Sequence, residues 1–136
     1  MKVTPYLLFN GQCLQALEFY QQVFGGELQY TQVGQSPMAA MFGADAQHKV
    51  LNGRLASAVL DISASDWLHP TEQPVQGNTL SLFVSQGTAA QSRTIFARLA
   101  EQGQITEALS EQPFGLYGAC IDRFGVRWMV HAVSGV

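Results

Sequence analysis

The spacing of apolar and polar residues in the first half of the chain predicts a strand, a helix and three further strands. These elements are predicted at residues 3–9, 12–24, 27–33, 51–56 and 57–63. Phe19 lies off the apolar stripe of the helix, so we expect either an exposed aromatic side chain or part of a contact between subunits. The stripe faces away from a glutamine-rich side and consists of Cys13, Ala16, Leu17, Tyr20, Val23 and Phe24.

The second half of the chain repeats this order of elements. Thr88, with Gln91 three residues later, is typical of a helix N-terminus. Residues 122–125 have turn chemistry, so we expect the last two strands to form a hairpin. The helix has an apolar stripe of Ser92, Ile95, Phe96, Leu99 and Ala100, and the strands are predicted at residues 79–84, 104–109, 117–121 and 126–130.

Each half is too small to bury its own core well, so we expect the two halves to form a single domain. The predicted modules cover about residues 1–71 and 78–136. A linker of about residues 72–77, which contains Pro74 and Gly77, joins them.

Several short segments resemble the glyoxalase/bleomycin resistance/dioxygenase (vicinal oxygen chelate) superfamily, in its PhnB-like branch. They are residues 5–9 (Pro-Tyr-Leu-Leu-Phe), 16–20 (Ala-Leu-Glu-Phe-Tyr), 24–26 (Phe-Gly-Gly) and the hairpin Asp-x-Phe-Gly-x-x-Trp at 122–128. The resemblance implies an α+β fold in which two βαβββ modules form a half-open, cup-shaped mixed sheet with helices on the outer face. Proteins of this branch often carry a description resembling 3-demethylubiquinone-9 3-methyltransferase. No glycine-rich turn follows a strand here to receive a nucleotide-like cofactor, which argues against methyl transfer.

The resemblance also implies where a metal would bind. Metal-binding members of the superfamily place one ligand on the first, fourth, fifth and eighth strands, and these positions correspond to Thr4, Asp61, Thr79 and Met129. Divalent metals need several carboxylate, imidazole or thiolate donors, and only Asp61 is a good ligand of this kind. We therefore expect no catalytic divalent metal and no other cofactor.

Strand alternation indicates which side chains line the cleft of the cup. Leu80, Leu82 and Val84 are expected to face the helices, which leaves the alternate residues of that strand in the cleft. The resulting floor is of mixed polarity and suits a small organic ligand. Catalytic residues are not assigned. The predicted ligand-binding residues are Tyr6, Asp61, Thr79, Ser81, Phe83, Arg127, Met129 and His131.

Two residues of the predicted cleft have alternative roles. Arg127 is suited to hold a carboxylate or another anion, or else it forms a salt bridge with Asp61 or another acid. His131 shares its strand face with Met129. It is either a functional group of the cleft or a partly exposed histidine near the end of the chain.

The segment of residues 34–47 lacks any periodicity and combines small residues with large apolar ones. It is either an ordinary long loop or a lid. In the second case Met38, Met41 and Phe42 would close over an apolar ligand, a role that flexible methionine side chains suit.

Charge and cysteine content narrow the classes of partner. A net charge of −3 with seven basic residues gives no electrostatic footprint for nucleic acid. No apolar run approaches the roughly 20 residues that span a bilayer, and the start of the chain lacks an apolar stretch of signal-peptide length. Cys13 and Cys120 are far apart in apolar contexts, which favours buried free thiols and a cytoplasmic location.

Only 12% of the residues are charged, which is low for the surface of one domain. One explanation is that glutamine replaces charged residues on the surface. The other, which we expect, is that part of the surface is buried in a homodimer. The predicted function is binding of a small organic molecule in a concave cleft, with catalysis left open. The alternatives are a metal-dependent lyase, isomerase or dioxygenase of the vicinal-oxygen-chelate type, and a module that binds only another protein.

Overall fold

The structure is a computed structural model that describes residues 1–133, so the last three residues of the predicted second module lie outside the described residues. The chain divides into two units, Met1–Val75 and Gln76–Val136. Each unit contains one long helix and a mixed sheet of four strands. The predicted α+β fold of two βαβββ modules is confirmed.

The first unit follows the predicted order of elements. Its sheet has the order β1-β4-β3-β2, in which β1 and β4 are parallel and the other pairs antiparallel. Three short 3-10 helices, Val33–Gln35, Ala39–Met41 and Ala44–Ala46, lie between β2 and β3. The main elements are β1 (Tyr6–Phe9), α1 (Cys13–Phe24), β2 (Glu27–Gln32), β3 (Val50–Ala56) and β4 (Asp61–Asp66).

Helix α1 packs one face on this sheet. A Cβ built on Gly53 would lie 2.8 Å from Leu17 Cδ1, so glycine at this point of β3 lets the helix approach closely. The expectation that Phe19 is exposed is wrong, because only 8% of this residue is accessible. The buried face is wider than the predicted stripe and includes Cys13, Ala16, Leu17, Phe19 and Tyr20.

Two strands of the first unit begin three or more residues later than predicted. β1 begins at Tyr6, three residues later than expected. The strand predicted at residues 57–63 begins only at Asp61, because residues 57–60 form a turn. The Ser57 amide donates to the Leu60 carbonyl at 2.7 Å, and Ser57 Oγ accepts hydrogen bonds from the amides of Val59 and Leu60. A serine hydroxyl that binds nearby amides competes with strand pairing.

The second unit has the sheet order β5-β8-β7-β6, with β5 parallel to β8. The elements are β5 (Leu82–Val84), α2 (Ala89–Ala100), β6 (Gln104–Gln112), β7 (Gly115–Ile121) and β8 (Arg127–Ala132). β5 has three residues, shorter than the predicted strand at 79–84, and β6 continues three residues beyond its predicted end. Leu80 lies before β5 with 78% of its surface accessible, so the expected packing of Leu80 against the helix is wrong.

The predicted N-terminus of α2 is confirmed. Thr88 Oγ1 accepts from the Gln91 amide at 3.1 Å, and Gln91 Oε1 accepts from the Thr88 amide at 2.9 Å. This reciprocal pair satisfies two amides that the helix leaves without internal partners. The buried face of the helix presents Ser92, Phe96 and Leu99.

The predicted closing hairpin is also confirmed, and Asp122 organises it. Oδ1 of this buried carboxylate accepts from the amides of Phe124 at 2.8 Å and Val126 at 3.1 Å. Oδ2 accepts from Trp128 Nε1 at 2.8 Å. One carboxylate therefore fixes both the turn and the ring of Trp128, a core residue that is only 2% accessible.

Both cysteines are free and buried, as expected. Burial raises the pKa of the Cys13 thiol to about 12, with a smaller contribution from Asp66. Burial likewise raises the pKa of Cys120 to about 11, and Asp122 adds to the effect. Among the described residues, no helix combines the length and apolar character needed to cross a membrane.

Candidate functional site

The face of the first sheet that α1 does not cover is partly open to solvent. Tyr6 and Leu8 of β1 are exposed there, with 53% and 49% of their surfaces accessible. Tyr6 lies opposite Ser63, and Ser63 lies opposite Arg54. A depression of about 300 Å³ is lined by residues that include Tyr6, Gln29, Asn52, Arg54 and Ser63.

Asp61, at the start of β4, is held by two cations. Arg54 Nε donates to Oδ1 at 2.9 Å and Arg54 Nη2 donates to Oδ2 at 2.9 Å. Lys2 Nζ also donates to Oδ2. Hydrogen bonds from Arg54, and next from Lys2, hold the pKa of the Asp61 carboxyl well below its usual range. The carboxylate is therefore ionised and already neutralised by the protein.

The four positions implied for metal ligands do not fit a divalent metal. Asp61 has both oxygens bound by Arg54, and a metal would have to displace that pair. Thr4 and Thr79 precede their strands as exposed residues, and a neutral hydroxyl is a weak donor. Met129 offers only a thioether. Within residues 1–133, no three His, Cys, Asp or Glu side chains gather as a metal-binding group.

The open face of the second sheet carries the predicted residues of β8. Trp128, Val130 and Ala132 are buried on one face, so the alternate residues occupy the other face. Phe83 of β5 pairs with Met129, and 58% of its surface is accessible. The structure thus brings Phe83, Arg127, Met129 and His131 to one sheet face.

A depression of about 430 Å³ surrounds Arg127. Its lining adds the polar groups of Gln76 and Asn78 to the guanidinium. Gln76 Nε2 donates to the Phe124 carbonyl at 3.1 Å, which fixes this side chain beside the closing turn. Within the part of the second unit that the structure describes, the Arg127 guanidinium makes no salt bridge or side-chain hydrogen bond. The acid proposed as an alternative partner, Asp61, is paired with Arg54 and Lys2.

Four aromatic rings form a cluster on the second unit, which we call the ring cluster: Phe83, Phe114, Tyr117 and His131. The His131 ring lies 6.4 Å from the Phe83 ring at an interplanar angle of 28°, and 6.1 Å from the Phe114 ring at 30°. Phe114 meets Tyr117 edge-on, with centroids 5.8 Å apart. His131 Nε2 lies 2.9 Å from the Phe114 carbonyl oxygen.

The sequence prediction missed Phe114, Tyr117, Gln76 and Asn78. Tyr117 was detectable in principle, because it lies opposite His131 in the hairpin and pairing across a hairpin follows from its turn. Phe114 precedes β7, Gln76 lies in the linker segment and Asn78 directly follows it, so alternation gives no signal at these positions. Of the predicted residues, Thr79 and Ser81 lie just before β5, and Tyr6 and Asp61 belong to the first unit.

The segment of residues 34–47 is tied together by one side chain. Gln47 Nε2 donates to the carbonyls of Ala39, Phe42 and Gly43 at 3.0, 3.0 and 3.1 Å. Met41 remains 72% accessible. These contacts give the segment a defined internal structure, which an ordinary loop and a lid can equally have.

Two βαβββ modules with this strand order define the vicinal-oxygen-chelate class of fold, as the resemblance implied. The chain belongs to the PhnB-like family described as 3-demethylubiquinone-9 3-methyltransferase, whose sequence model matches residues 1–131.

Three relatives illustrate this membership. The chain is 30% identical to protein YjdN of Escherichia coli strain K12, over 98% of this chain and 97% of YjdN. The crystal structure of protein PA1353 from Pseudomonas aeruginosa has 32% identity and a TM-score of 0.86, covering 98% of each chain. A PhnB protein from Bacillus cereus, at 21% identity, shares the fold with a TM-score of 0.79 over 98% of this chain and 100% of its own.

Proposed function

We propose that this protein binds a small organic molecule that carries an acidic group, and that it does so without a catalytic divalent metal. The observation that carries the proposal is the Arg127 guanidinium, which makes no salt bridge or side-chain hydrogen bond in the described part of its unit and lines a depression of about 430 Å³. Ligand pockets are usually about 300–1,000 Å³, apolar for the most part, with a few polar groups that fix orientation.

The surroundings of Arg127 support an anionic ligand group. A guanidinium binds a carboxylate or phosphate through two parallel hydrogen bonds. Gln76 and Asn78 in the same depression add neutral hydrogen-bonding groups, and the apolar Phe83 and Met129 lie further along the same sheet face. Thr79 and Ser81, which belong to the same unit as Arg127, are part of the proposed binding set as additional polar contacts. Tyr6 and Asp61 stay predicted ligand-binding residues of the first unit.

The alternative function, a metal-dependent lyase, isomerase or dioxygenase, is disfavoured by the pairing of Asp61 with Arg54 and Lys2. Elemental analysis of protein purified without a metal-affinity tag separates the two functions. Stoichiometric zinc, nickel, manganese or iron that disappears in Asp61→Asn would support the metal enzyme. A module that binds only another protein would instead show no stabilisation by any small ligand.

We also propose a cytoplasmic homodimer in which the partner subunit completes or covers the cleft. The buried position of Phe19 removes one argument for this assembly. The low charge content remains, and exposed apolar side chains on the open sheet faces, such as Tyr6, Leu8 and Phe83, now support it. Light scattering across a dilution series tests the assembly, since one chain has a mass of 14.8 kDa. A mass near that value at micromolar concentration would contradict the dimer.

Thermal denaturation with a panel of small carboxylic and phosphonic acids, each matched with its neutral amide or ester, tests the binding function. A ligand that binds the folded state stabilises it in proportion to RT ln(1 + [L]/Kd). We expect acids, and not their neutral analogues, to raise the transition temperature. Arg127→Gln should weaken acid binding about 10- to 100-fold, because it removes hydrogen bonds to a charged group.

The matched control is Arg93→Gln, which removes the same charge from the exposed surface of α2. It should leave acid binding unchanged. Equal stabilisation by acids and neutral analogues, or equal losses in the two arginine variants, would contradict the role of Arg127.

A further inference from the structure

We infer that the acid proposed above carries a flat aromatic ring with a hydrogen-bond donor, that Phe83 and Phe114 receive the ring, and that His131 Nδ1 accepts the hydrogen bond. This inference rests on the proposed function, because it names the chemical class of ligand for the same site. Three features of the second unit support it: the orientation of the rings, the fixed tautomer of His131 and the spacing along β8.

The first feature is that the ring cluster is ordered but not buried. Phe83 and Phe114 are 58% and 61% accessible. Their rings make interplanar angles of 28° and 30° with the His131 ring, at centroid distances of 6.4 and 6.1 Å. Accessible π-faces of this kind favour offset-stacked or edge-on contacts with another aromatic ring. A planar ring of a ligand therefore fits this cluster better than a puckered aliphatic ring of the same size.

The second feature is the protonation of His131. A backbone carbonyl only accepts hydrogen bonds, so the 2.9 Å contact with the Phe114 carbonyl requires the proton to be on Nε2. In the neutral imidazole, Nδ1 then carries the lone pair and is an acceptor. Nδ1 has no hydrogen-bond partner within residues 1–133. The histidine thus offers a ligand one acceptor, held in place by the other nitrogen.

Gly115 supports this arrangement independently. Its φ is +122°, and a Cβ built there would lie 3.1 Å from His131 Nε2 and in collision with the Ala132 carbonyl oxygen. Only glycine lets the chain pass this close to the imidazole. The backbone at the start of β7 is therefore shaped around the position of His131.

The third feature is the spacing of charged and aromatic groups. Arg127, Met129 and His131 alternate on β8, so Arg127 and Met129 are about 7 Å apart and Arg127 and His131 about 13 Å apart along the strand. Phe83 lies opposite Met129. A ligand whose carboxylate binds Arg127 and whose ring is two or three bonds away would place that ring beside Met129 and Phe83. A hydrogen-bond donor on the far edge of the ring would then point toward His131.

The probes that test the inference are 3-phenylpropanoate, 3-cyclohexylpropanoate and the 3- and 4-hydroxyphenyl derivatives of the first, with affinities measured by titration calorimetry. We expect 3-phenylpropanoate to bind about 2- to 10-fold more tightly than its cyclohexyl analogue. Phe83→Leu should abolish that preference. One of the two phenols should bind more tightly still, by about 2- to 10-fold, and His131→Phe should remove this gain while keeping a ring.

His131→Gln serves as the conservative variant, because its amide NH₂ can donate to the Phe114 carbonyl and its oxygen can accept. It should keep part of the gain from the phenol. A nitrogen-detected NMR spectrum of the ligand-free protein at mildly alkaline pH supplies a readout without any ligand. We expect His131 to show a protonated Nε2 and an unprotonated Nδ1.

The outcomes separate this inference from the proposed function. If the phenyl and cyclohexyl acids bind equally and Arg127→Gln weakens both, the acid-binding function stands and the aromatic inference is overturned. If the NMR spectrum shows the proton on Nδ1, the role of His131 is overturned. If the neutral amides of all four probes bind as well as the acids, the proposed function itself fails.

Discussion

Arg54 and Asp61 are joined by two parallel hydrogen bonds, from Nε to Oδ1 and from Nη2 to Oδ2, each 2.9 Å long. This pair occupies the one carboxylate that the superfamily resemblance places at a metal-ligand position. An arginine fork that matches a carboxylate satisfies both oxygens at once. Cationic side chains of the protein itself, Arg54 and Lys2, therefore neutralise the charge of Asp61. This is the physical reason for preferring a binding function without a metal.

The first prediction concerns acid stability. Because the folded-state pKa of Asp61 lies below its usual value of 3.8, the pair stabilises the folded state above that pH, and the contribution is lost as the pH falls through the lowered pKa. Asp61→Asn should therefore be less stable than the wild type near neutral pH, and the difference should shrink below about pH 4. Urea denaturation at a series of pH values measures this.

The matched control for Asp61→Asn is Asp45→Asn, which makes the same change at an exposed residue of the third 3-10 helix. Its stability should follow the wild type at every pH. A stability difference between the wild type and Asp61→Asn that is the same at every pH would show that ionisation of Asp61 is not linked to folding.

The second prediction concerns the buried carboxylate of Asp66, which is 4% accessible. Its two oxygens accept from the amides of Cys13 at 3.0 Å and Val50 at 2.8 Å. Gln12, the residue before α1, provides no side-chain cap. The carboxylate of Asp66, at the end of β4, accepts from the first amide of the helix instead. Asp66→Asn turns one acceptor into a donor that faces an amide, and it should lower the free energy of unfolding by about 1.5–3 kcal/mol.

Urea denaturation compared with Asp45→Asn checks this prediction. We expect the control to change stability by less than about 0.5 kcal/mol, as is usual for exposed positions. An Asp66→Asn protein as stable as the control would mean that water or backbone rearrangement replaces the lost acceptor.

The order of elements was predictable because it depends on local patterns. The capping box of Thr88 and Gln91 and the turn centred on Asp122 are encoded within a few residues, and both appear in the structure. The predicted start of the strand at residues 57–63 is wrong because the apolar residues fit a strand while the Ser57 hydroxyl favours a turn. A pattern of apolar residues does not reveal that a serine hydroxyl competes with strand pairing for the backbone amides.

The site was less predictable, since its key contacts link distant residues. The contact of Lys2 with Asp61 spans 59 positions, which no spacing rule anticipates. Arg54 reaches Asp61 across β3 and β4, whose pairing depends on the strand beginning after the turn. In contrast, Phe83, Met129 and His131 lie on the open face as alternation predicted, because period-two alternation survives small errors in strand ends.

The third prediction concerns the two thiols. Their pKa values of about 12 for Cys13 and about 11 for Cys120 keep both protonated at mildly alkaline pH, and only the thiolate reacts with disulfide reagents. Both should resist labelling in the folded protein and react fully in urea. Because these pKa values lie above the ordinary value of 9.0, folding stability should fall as the pH rises above it.

Labelling kinetics with a chromogenic disulfide, measured against the urea-unfolded protein, check the thiol prediction. The labelling rate should follow the unfolded fraction as urea is added. Labelling of either thiol in the absence of urea at the rate of the unfolded protein would show that the folded chain exposes it.

The last prediction concerns Gly115, whose φ of +122° is accessible to almost no other residue. Gly115→Ala adds a Cβ that meets the Ala132 carbonyl and approaches His131 Nε2. We expect a loss of about 2 kcal/mol or more in the free energy of unfolding, from the strained backbone and the collision together. The NMR signals of the His131 ring nitrogens should also shift, because the hydrogen bond from Nε2 to the Phe114 carbonyl depends on this close approach.

Gly77→Ala is the control, since a Cβ built on Gly77 meets nothing within 4 Å. If both variants are equally stable and the His131 signals do not move, the backbone at Gly115 is not shaped around the imidazole.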